Sequence, residues 1–501
     1  MQMTGGGRAL ARVAAVVCLY WLLALGLAWR AGAFDGTWGA DPDEASHFLN
    51  GVMVFDYAGA GFPGHPLRYA EKYYEHYPKI GLGHWPPLFA VVEAAWFMVV
   101  PVSYASALVL VNLLAAGVAA LIWWMGWRGL GMPAWLAGAA GLVWLLLPLV
   151  RQYSVVFMAE MLLTLCVTAA VLAFARGSVA FGWWAGLALL TKGTAIALAP
   201  LPVMAALFGG DWGLLRKRWI WGSALLVLLL AAAWYAKAPG ARHERVAPYG
   251  GLRFLPRRGP ETFRAVGANL GPGLGLAAAA GMVAAWRKRR ENRLLLVLLA
   301  FLPAHLGLRM AVGAWEARHL VMVFPALLLL AAYALQQAHG RGWTGRVLLV
   351  VVGAATLWHV GSRWPVRAGT AGFTEAAAAL SGAGRILIAG TVPAEGALIC
   401  AVALGDGGLR PLRVVERGTK VLMESDFLGW RERLLVRDAG EAGRVLREHE
   451  VDGVVVDRAG DRAYVGFVRA YVERAGEEWE RRGEYGGRAE VWVRKGLKGL
   501  K

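Results

Sequence analysis

Long apolar segments separated by short basic ones occupy the first two thirds of the chain. A span needs about 20 apolar residues to cross a hydrocarbon core of roughly 30 Å. Segments near that length lie at 11–30, 104–126, 133–150, 156–175, 180–208, 219–238, 268–286, 294–312, 319–337 and 346–361. A further apolar segment, 86–101, follows a Pro-Pro pair and predicts a re-entrant or interface-lying helix. The pattern predicts a polytopic α-helical membrane protein with about 10–12 transmembrane helices.

The pattern of apolar residues changes after Trp364. Two short β-branched runs, GRILIAG (384–390) and VDGVVVD (451–457), are bounded by glycine and charge, as strands commonly are. The segment RERLLVRDAGEAGRVLREHE (431–450) predicts a helix between them. We therefore expect a transmembrane domain, 1–364, whose first outer loop is 31–85, and a small soluble α/β domain, 365–501.

Composition supports the membrane assignment. Hydrophobic residues make up 58% of the 501 residues and charged residues only 17%, which excludes a string of soluble domains. Residues 1–365 hold 30 of the 52 basic but only 14 of the 34 acidic residues. Their positive charge falls in short runs between apolar segments, as in cytoplasmic loops, so it predicts topology and not a nucleic-acid partner. We expect a multi-pass protein of a bacterial inner membrane, with a cytoplasmic N-terminus and an extracytoplasmic C-terminal domain.

One acidic residue, Glu160, stands alone between Glu93 and Asp211, at the start of an apolar segment. A carboxylate at that depth costs about 2.5–3.5 kcal/mol on insertion scales, so a functional, inward-facing role is the default interpretation. The alternative is a simple headgroup-level pair with Arg151, which lies nearby in the sequence. Lys192 likewise interrupts the apolar stretch GLALLTKGTAIALAP, where it can snorkel or bind an anion such as a lipid phosphate.

The densest polar cluster is ADPDEASHFLNG, in the first outer loop. A helix that starts near Asp43 places His47 on the same face, four residues on. Asp43 and Glu44 point about 100° apart on a helix, so only one of them is expected to face a reacting centre. Such a face suits a metal or a hydroxyl that loses its proton. The alternative is that these acids only cap the helix.

Two further sites add candidate groups. His84 and Trp85 directly precede the Pro-Pro pair, which fixes them at the membrane surface; an aromatic belt with a hydrogen-bonded histidine is the competing interpretation. Arg318 and His319 begin a later apolar helix, and an arginine there suits bidentate binding of phosphate. Arg242, His243 and Arg245 place further positive charge in the outer loop 239–267, where an anionic ligand would explain it.

These features in this order resemble the GT-C superfamily of polyprenyl-phosphate-sugar-dependent glycosyltransferases. The resemblance is closest to the branch of lipid A aminoarabinose transferases and protein O-mannosyltransferases. It rests on DEASH (43–47), HWPPL (84–88), AEMLLTL (159–165), GLALLTKG (186–193), WY (234–235) and ARHLVMVFPAL (317–327). Glu160 stands where the family usually has an aspartate, and His319 where a tyrosine is common.

The resemblance implies an inverting transfer of a sugar from a polyprenyl-phosphate donor to an acceptor hydroxyl of a glycan, lipid or protein on the outer face. Asp43 would act as general base, and Glu160 would orient the acceptor or a divalent ion. Lys192 and Arg318 would stabilise the departing phosphate. We also expect Asp43 and Glu160, far apart in the chain, to meet at the outer membrane rim. The remaining candidates for binding the substrate or the lipid phosphate are Glu44, His47, His84 and His319.

Cofactor and function class stay open at this point. Asp43, Glu160 and His47 are candidate ligands of Mg²⁺ or Mn²⁺, but oxygen ligands do not choose between these metals. A secondary transporter would also have broken helices and intramembrane charges, although its site would lie near the midplane between two related halves. A non-catalytic assembly protein of cell-envelope glycan synthesis is the other alternative.

Overall fold

The computed structural model describes residues 5–81, 83–237, 251–311, 316–340, 342–364, 369–425 and 432–496. The chain forms two compact units. The helical unit comprises Met1–Ala31, Gly83–Phe89 and Leu108–Val366, and the loop–sheet unit comprises Gly32–Leu82, Ala90–Ala107 and Arg367–Lys501. The chain passes from the helical unit to the loop–sheet unit between Val366 and Arg367, close to the predicted domain boundary. The first loop, however, groups with the C-terminal segment and not with the helices that flank it.

Regular structure covers most of both units. The α-helices are α1 (Gly5–Arg30), α2 (Glu44–Gly59), α3 (Pro66–His76), α4 (Leu88–Phe97), α5 (Tyr104–Trp124), α6 (Ala134–Leu146), α7 (Pro148–Ser154), α8 (Glu160–Ala175), α9 (Ala180–Thr191), α10 (Leu201–Gly209), α11 (Arg218–Lys237), α12 (Leu255–Lys288), α13 (Arg293–Met310), α14 (Phe324–His339), α15 (Trp343–Gly361), α16 (Phe373–Ala379), α17 (Val392–Asp406), α18 (Gly418–Val421), α19 (Ala439–Glu448) and α20 (Ala463–Arg474). The strands are β1 (Arg385–Ala389), β2 (Val414–Arg417), β3 (Met423–Ser425), β4 (Glu432–Leu434), β5 (Gly453–Asp457), β6 (Trp479–Tyr485) and β7 (Ala489–Arg494).

Within the described residues, eight helical segments are long and apolar enough to cross a membrane, or up to nine if a bent pair counts as one span. One of the eight, Val392–Leu409, belongs to the loop–sheet unit, where it follows strand β1. The predicted fold class, a polytopic helical membrane protein with a small C-terminal α/β region, is confirmed. The count is below the predicted value of about 10–12 because several apolar segments are broken into helices too short to span.

The breaks in these helices have local causes. Leu147 is extended and Pro148 opens α7, so α6 and α7 meet at 63°. Lys192 is extended, with φ −160° and ψ 136°, and ends α9. The predicted 86–101 helix is found as α4, whose 10 residues reach only about 15 Å at 1.5 Å per residue. A break in a helix frees backbone groups and lets polar side chains gather, so these breaks are the places where a polar site is expected.

The loop–sheet unit contains a five-stranded sheet of order β2-β1-β5-β7-β6. Strand β1 runs parallel to β2 and β5, whereas β7 pairs antiparallel with β5 and β6. Strand β5 is buried along its whole length and β1 along all but its first residue, which explains their continuous apolar sequences. The two predicted strands, 384–390 and 451–457, are therefore confirmed as β1 and β5.

The predicted helix at 431–450 is only partly correct. Helix α19 begins at Ala439, because the side chain of Asp438 accepts a hydrogen bond from Glu441 N at 2.9 Å and caps it. Before that cap, β4 pairs antiparallel with β3. The prediction was wrong there because the helical pattern of apolar residues was extended past a capping aspartate.

Buried and partly buried ion pairs join the first loop to the C-terminal segment inside the loop–sheet unit. Arg410 donates to both carboxylate oxygens of Asp56, at 2.9 and 3.0 Å. The Tyr77 hydroxyl donates to Asp406, which also pairs with Arg413. Bidentate, charge-assisted bonds of this kind are the stronger class of hydrogen bond. They explain why a loop near the N-terminus and a sheet near the C-terminus form one compact unit.

Candidate functional site

Glu160 is the first residue of α8 and is 2% exposed. The Lys192 ammonium lies 2.5 Å from its Oε1. A buried charge is tolerated when it is paired and hydrogen-bonded. The two intramembrane charges singled out in the sequence are therefore partners of each other.

The alternative pairing of Glu160 with Arg151 is not what the structure shows. Arg151 is buried and its Nη2 donates to the carbonyls of Val360 and Arg363, at 2.6 and 2.8 Å. Its guanidinium also lies 4.6 Å from the ring centroid of Trp364. Arg151 thus holds the end of α15, and Glu160 has another partner.

The break after α9 places Lys192 in the interior. Helix α9 ends at Thr191, and a 3₁₀ segment, Gly193–Leu198, follows. The Lys192 side chain is 7% exposed, so it does not snorkel to solvent within the described structure. Its ammonium lies 5.7 Å from the ring centroid of Trp85, within cation–π range.

Arg318 brings a second cation to the same carboxylate. It lies in the 3₁₀ segment Ala317–Val323 that leads into α14. Its Nε lies 3.7 Å from Glu160 Oε1 and 2.5 Å from Glu316 Oε2. Glu160 is therefore shared between two cations, while the Glu316 carboxylate is half exposed. The group Glu160, Lys192 and Arg318 is called the charged cluster below.

His319 adjoins the charged cluster and contacts two residues of α13 that the sequence analysis missed. Arg309 Nη2 lies 2.8 Å from His319 Nδ1, and His305 Nε2 lies 3.1 Å from the His319 carbonyl. Arg309 and His305 are both buried. The missed signal was an arginine and a histidine inside an otherwise apolar helix, which is rare without a function.

His84 reaches the charged cluster through its neighbour. The rings of His84 and Trp85 meet edge to face with centroids 4.6 Å apart, and Trp85 in turn lies against Lys192. The aromatic-belt interpretation therefore does not describe Trp85, whose ring faces a buried ammonium. His84 is therefore linked to the charged cluster only indirectly, through Trp85.

The charge balance of the region favours an anion. Three cations, Lys192, Arg318 and Arg309, gather here with Glu160 and the half-exposed Glu316. The Lys192 ammonium lies 2.5 Å from Glu160 Oε1, so a divalent cation on that oxygen would compete with it, and the assignment of Glu160 as a metal ligand stays a prediction. Across the part of the chain that the structure describes, no three His, Cys, Asp or Glu side chains form a metal-binding group.

Asp43 lies in the other unit, at the N-cap position of α2. Its side chain makes no capping hydrogen bond, and its own N–H donates to Asp41 Oδ1 at 2.9 Å. Asp43 therefore occupies the capping position of α2, but its carboxylate does not cap the helix. His47 is buried one turn later, and its N–H donates to the Asp43 carbonyl at 3.0 Å, as the predicted helical spacing requires.

Glu44 has a local structural contact. It is fully buried, and its Oε2 accepts from Gly39 N and Ala40 N at 3.0 and 3.1 Å. This bond fixes the chain that leads into α2. The predicted role of Glu44 in substrate binding, and the expectation that only one of the two adjacent acids faces a reacting centre, stay predictions.

Helix α17 forms the surface beneath the first turn of α2. A Cβ placed on Gly396 would lie 2.7 Å from the Ala45 Cβ and 3.4 Å from Lys79 Cε. Lys79 is buried, and burial together with the Arg417 guanidinium lowers its pKa to about 8, against the opposing influence of Glu395 and Asp43. The first turn of α2, next to Asp43, thus packs closely on α17 only because residue 396 is a glycine.

Replacing Gly396 with alanine is expected to destabilise the protein by about 1–3 kcal/mol, because the added methyl group overpacks this contact. Gly408→Ala is the matched control, since nothing lies within 4 Å of a Cβ there. Thermal unfolding of both variants in the same detergent checks the prediction. Equal melting temperatures for the two variants would show that α2 does not depend on this contact.

The structure thus groups the predicted residues in two sets. The helical unit brings together Glu160, Lys192, Arg318, His319 and His84, and the loop–sheet unit contains Asp43, Glu44 and His47. The expectation that Asp43 and Glu160 meet stays a prediction. The metal set of Asp43, His47 and Glu160 is divided between the units, and Arg242, His243 and Arg245 lie outside the described residues.

Solved structures share the fold of the whole chain. ArnT from Cupriavidus metallidurans, bound to undecaprenyl phosphate, superposes with a TM-score of 0.59 at 16% identity, over 99% of this chain and 100% of that one. The chain has the GT-C fold. The Archaeoglobus fulgidus oligosaccharyltransferase in complex with Zn and sulfate gives a TM-score of 0.58 at 13% identity, over 88% of this chain and 68% of that one.

A second structure of the archaeal enzyme agrees with this result. AglB from Archaeoglobus fulgidus, in complex with an inhibitory peptide and a dolichol-phosphate, gives a TM-score of 0.54 at 12% identity, over 97% of this chain and 75% of that one. No protein-family model and no curated protein matches this sequence. The resemblance inferred from the sequence is confirmed as a shared fold.

Proposed function

We propose that this chain is an inverting membrane glycosyltransferase that moves a sugar from a polyprenyl-phosphate donor to an acceptor hydroxyl. The observation that carries the proposal is the buried charged cluster at the helix breaks of a GT-C fold. Its excess of cations suits a phosphate, and the similar proteins were solved with undecaprenyl phosphate and with a dolichol-phosphate. Arg318 would bind the donor phosphate, Lys192 would neutralise its charge, and Glu160 would hold the Lys192 ammonium in place.

The proposed reaction is a single displacement. The acceptor oxygen attacks the anomeric carbon, the bond from that carbon to the phosphate oxygen breaks, and its electron pair leaves with the phosphate. The hydroxyl proton passes to a carboxylate, for which we propose Asp43, and then to solvent. A single displacement inverts the anomeric configuration. Lys192 and Arg318 stabilise the charge that grows on the departing phosphate.

The cellular setting is proposed from the same reasoning. The basic punctuation between apolar segments favours an orientation with the loop–sheet unit on the outer face. We propose that the membrane is a bacterial inner membrane, so that a glycan, lipid or protein acceptor of the cell envelope would be met there. His47 and His84 would contact substrate. A divalent cation, Mg²⁺ or Mn²⁺, held by Asp43, His47 or Glu160 stays a prediction, and the displacement proposed above does not depend on it.

The experiment that tests the proposal supplies the purified protein in nanodiscs with a polyprenyl-phosphate-linked sugar and an envelope lipid extract. Mass spectrometry then measures release of polyprenyl phosphate together with glycosylation of the acceptor. A transporter or an assembly protein would leave the sugar–phosphate bond intact, so an intact donor across a panel of sugars would contradict the proposal.

Arg318→Met is expected to weaken binding of undecaprenyl phosphate about tenfold, since a charge-assisted hydrogen bond contributes about 1.5–3 kcal/mol. Arg176→Met serves as the control because Arg176 is an exposed arginine at the end of α8. Binding is measured by the change in thermal stability with added lipid phosphate. Equal binding by the two variants would remove Arg318 from the phosphate site.

A further inference from the structure

Two side chains of α13 hold His319 from both its ring and its backbone. Arg309 Nη2 lies 2.8 Å from His319 Nδ1, and His305 Nε2 lies 3.1 Å from the His319 carbonyl. His305 is 0% exposed and Arg309 is 3% exposed. Burying an arginine and a histidine inside an apolar helix is costly, so a role beyond packing is the default interpretation.

The Arg309 contact determines the tautomer of His319. A guanidinium has five donors and no acceptor, so His319 Nδ1 must accept this hydrogen bond. A neutral imidazole whose Nδ1 accepts carries its hydrogen on Nε2. His305 also holds His319. A carbonyl oxygen can only accept, so His305 Nε2 donates to the His319 carbonyl and fixes the backbone that carries the His319 ring.

The ring nitrogen that carries the hydrogen is directed away from these contacts. His319 Nε2 makes no hydrogen bond to any residue that the structure describes. The neighbouring residue in the chain is Arg318, which belongs to the charged cluster. His319 therefore offers one neutral N–H donor, one residue along the chain from Arg318 of the charged cluster.

We propose that Arg309 and His305 are positioning residues that make His319 a hydrogen-bond donor to the donor phosphate. The inference rests on the proposed function for the identity of the phosphate, but the tautomer itself does not. It accounts for a histidine where the resemblance shows a tyrosine, because each side chain then presents one neutral donor. A tyrosine has no tautomers and its hydroxyl can rotate, so it needs no partner to direct its hydrogen.

A double-mutant cycle tests this role against a purely structural one. Arg309→Met is expected to slow transfer about tenfold in the parent protein, since it removes the donor to Nδ1 and frees the other tautomer. The same change in a His319→Tyr background is expected to slow transfer less than twofold. Arg309→Lys is expected to keep most of the activity, because an ammonium also donates to Nδ1. Equal losses in both backgrounds would reduce Arg309 to a packing residue and overturn the proposal.

A direct measurement keeps the proposal testable if a variant does not fold or the parent shows no transfer. The ¹⁵N shifts of His319, in full-length protein labelled at histidine and assigned with the tyrosine variant, distinguish a protonated Nε2 from a protonated Nδ1. Hydrogen on Nε2 in the parent, lost in Arg309→Met, supports the inference. Hydrogen on Nδ1 in the parent overturns it, whatever the activity. Absence of transfer with the Nε2 tautomer intact would contradict the proposed function alone.

Discussion

Replacing Asp43 with asparagine is expected to slow sugar transfer by about 10²- to 10⁴-fold, the usual contribution of a general base. An alcohol has a pKa far above 7, so attack on the sugar carbon requires a group that removes the hydroxyl proton. Asparagine keeps the size of the side chain but cannot accept that proton. The effect is expected in the rate of the chemical step, and binding of undecaprenyl phosphate is expected to stay unchanged.

The local structure removes loss of helix capping as an explanation of a slower variant. Loss of a capping side chain usually costs about 0.5–2 kcal/mol, but the Asp43 carboxylate makes no capping hydrogen bond. Single-turnover transfer in nanodiscs separates the chemical step from donor binding. Asp35→Asn, an exposed acid of the same loop, is the matched control. If the Asp43 variant transfers sugar as fast as this control, another residue removes the proton.

Hydropathy predicted the fold class because a bilayer imposes a length on apolar segments that any single sequence reveals. It also predicted that Lys192 interrupts a span, since lysine followed by glycine disfavours a continuous apolar helix. The number of spans was harder to predict. Whether an apolar segment continues or breaks depends on local backbone geometry, such as the extended Leu147 before Pro148, which hydropathy does not measure.

The association of the first loop with the C-terminal sheet could not be predicted from local sequence. It depends on pairs such as Asp56 with Arg410, which lie 354 residues apart. A single sequence gives no signal for contacts at that separation. Proximity in the chain was misleading here, because the loop follows α1 directly and was assigned to the transmembrane domain.

The candidate site was predicted in part. Lone charges in apolar segments identified Glu160 and Lys192, because the cost of burying a charge makes such residues rare without a function. The same logic applies to Arg309 and His305, which were missed because α13 was treated as a simple span. The capping alternative for the Asp43 carboxylate depended on whether its side chain makes a capping hydrogen bond, which it does not, and composition cannot supply that detail.

Replacing Glu160 with glutamine is expected to slow transfer by about 10²- to 10³-fold, because Glu160 holds the Lys192 ammonium, and loss of one preorganised donor to a developing negative charge has an effect of this size. The change also removes the negative charge that lies 2.5 Å from the buried Lys192 ammonium. Removing one partner of a buried pair costs about 3–5 kcal/mol, so this variant is also expected to melt at a lower temperature.

A second variant separates these two effects. In the Glu160→Gln, Lys192→Met double variant no charge is left without its partner, and replacement of a buried pair by apolar groups is often neutral for stability. The double variant is therefore expected to recover most of the melting temperature and none of the transfer activity. Thermal unfolding and single-turnover transfer of the parent and both variants are measured in the same nanodiscs.

The outcome of this comparison decides what the buried pair is for. If transfer returns together with stability in the double variant, the pair only holds α8 against the break after α9, and the phosphate-stabilising role of Lys192 is wrong. If stability returns without transfer, the charges are needed for chemistry and not for folding. The second result is expected, because a chain that needed only a stable contact between α8 and this break would be served as well by two apolar side chains.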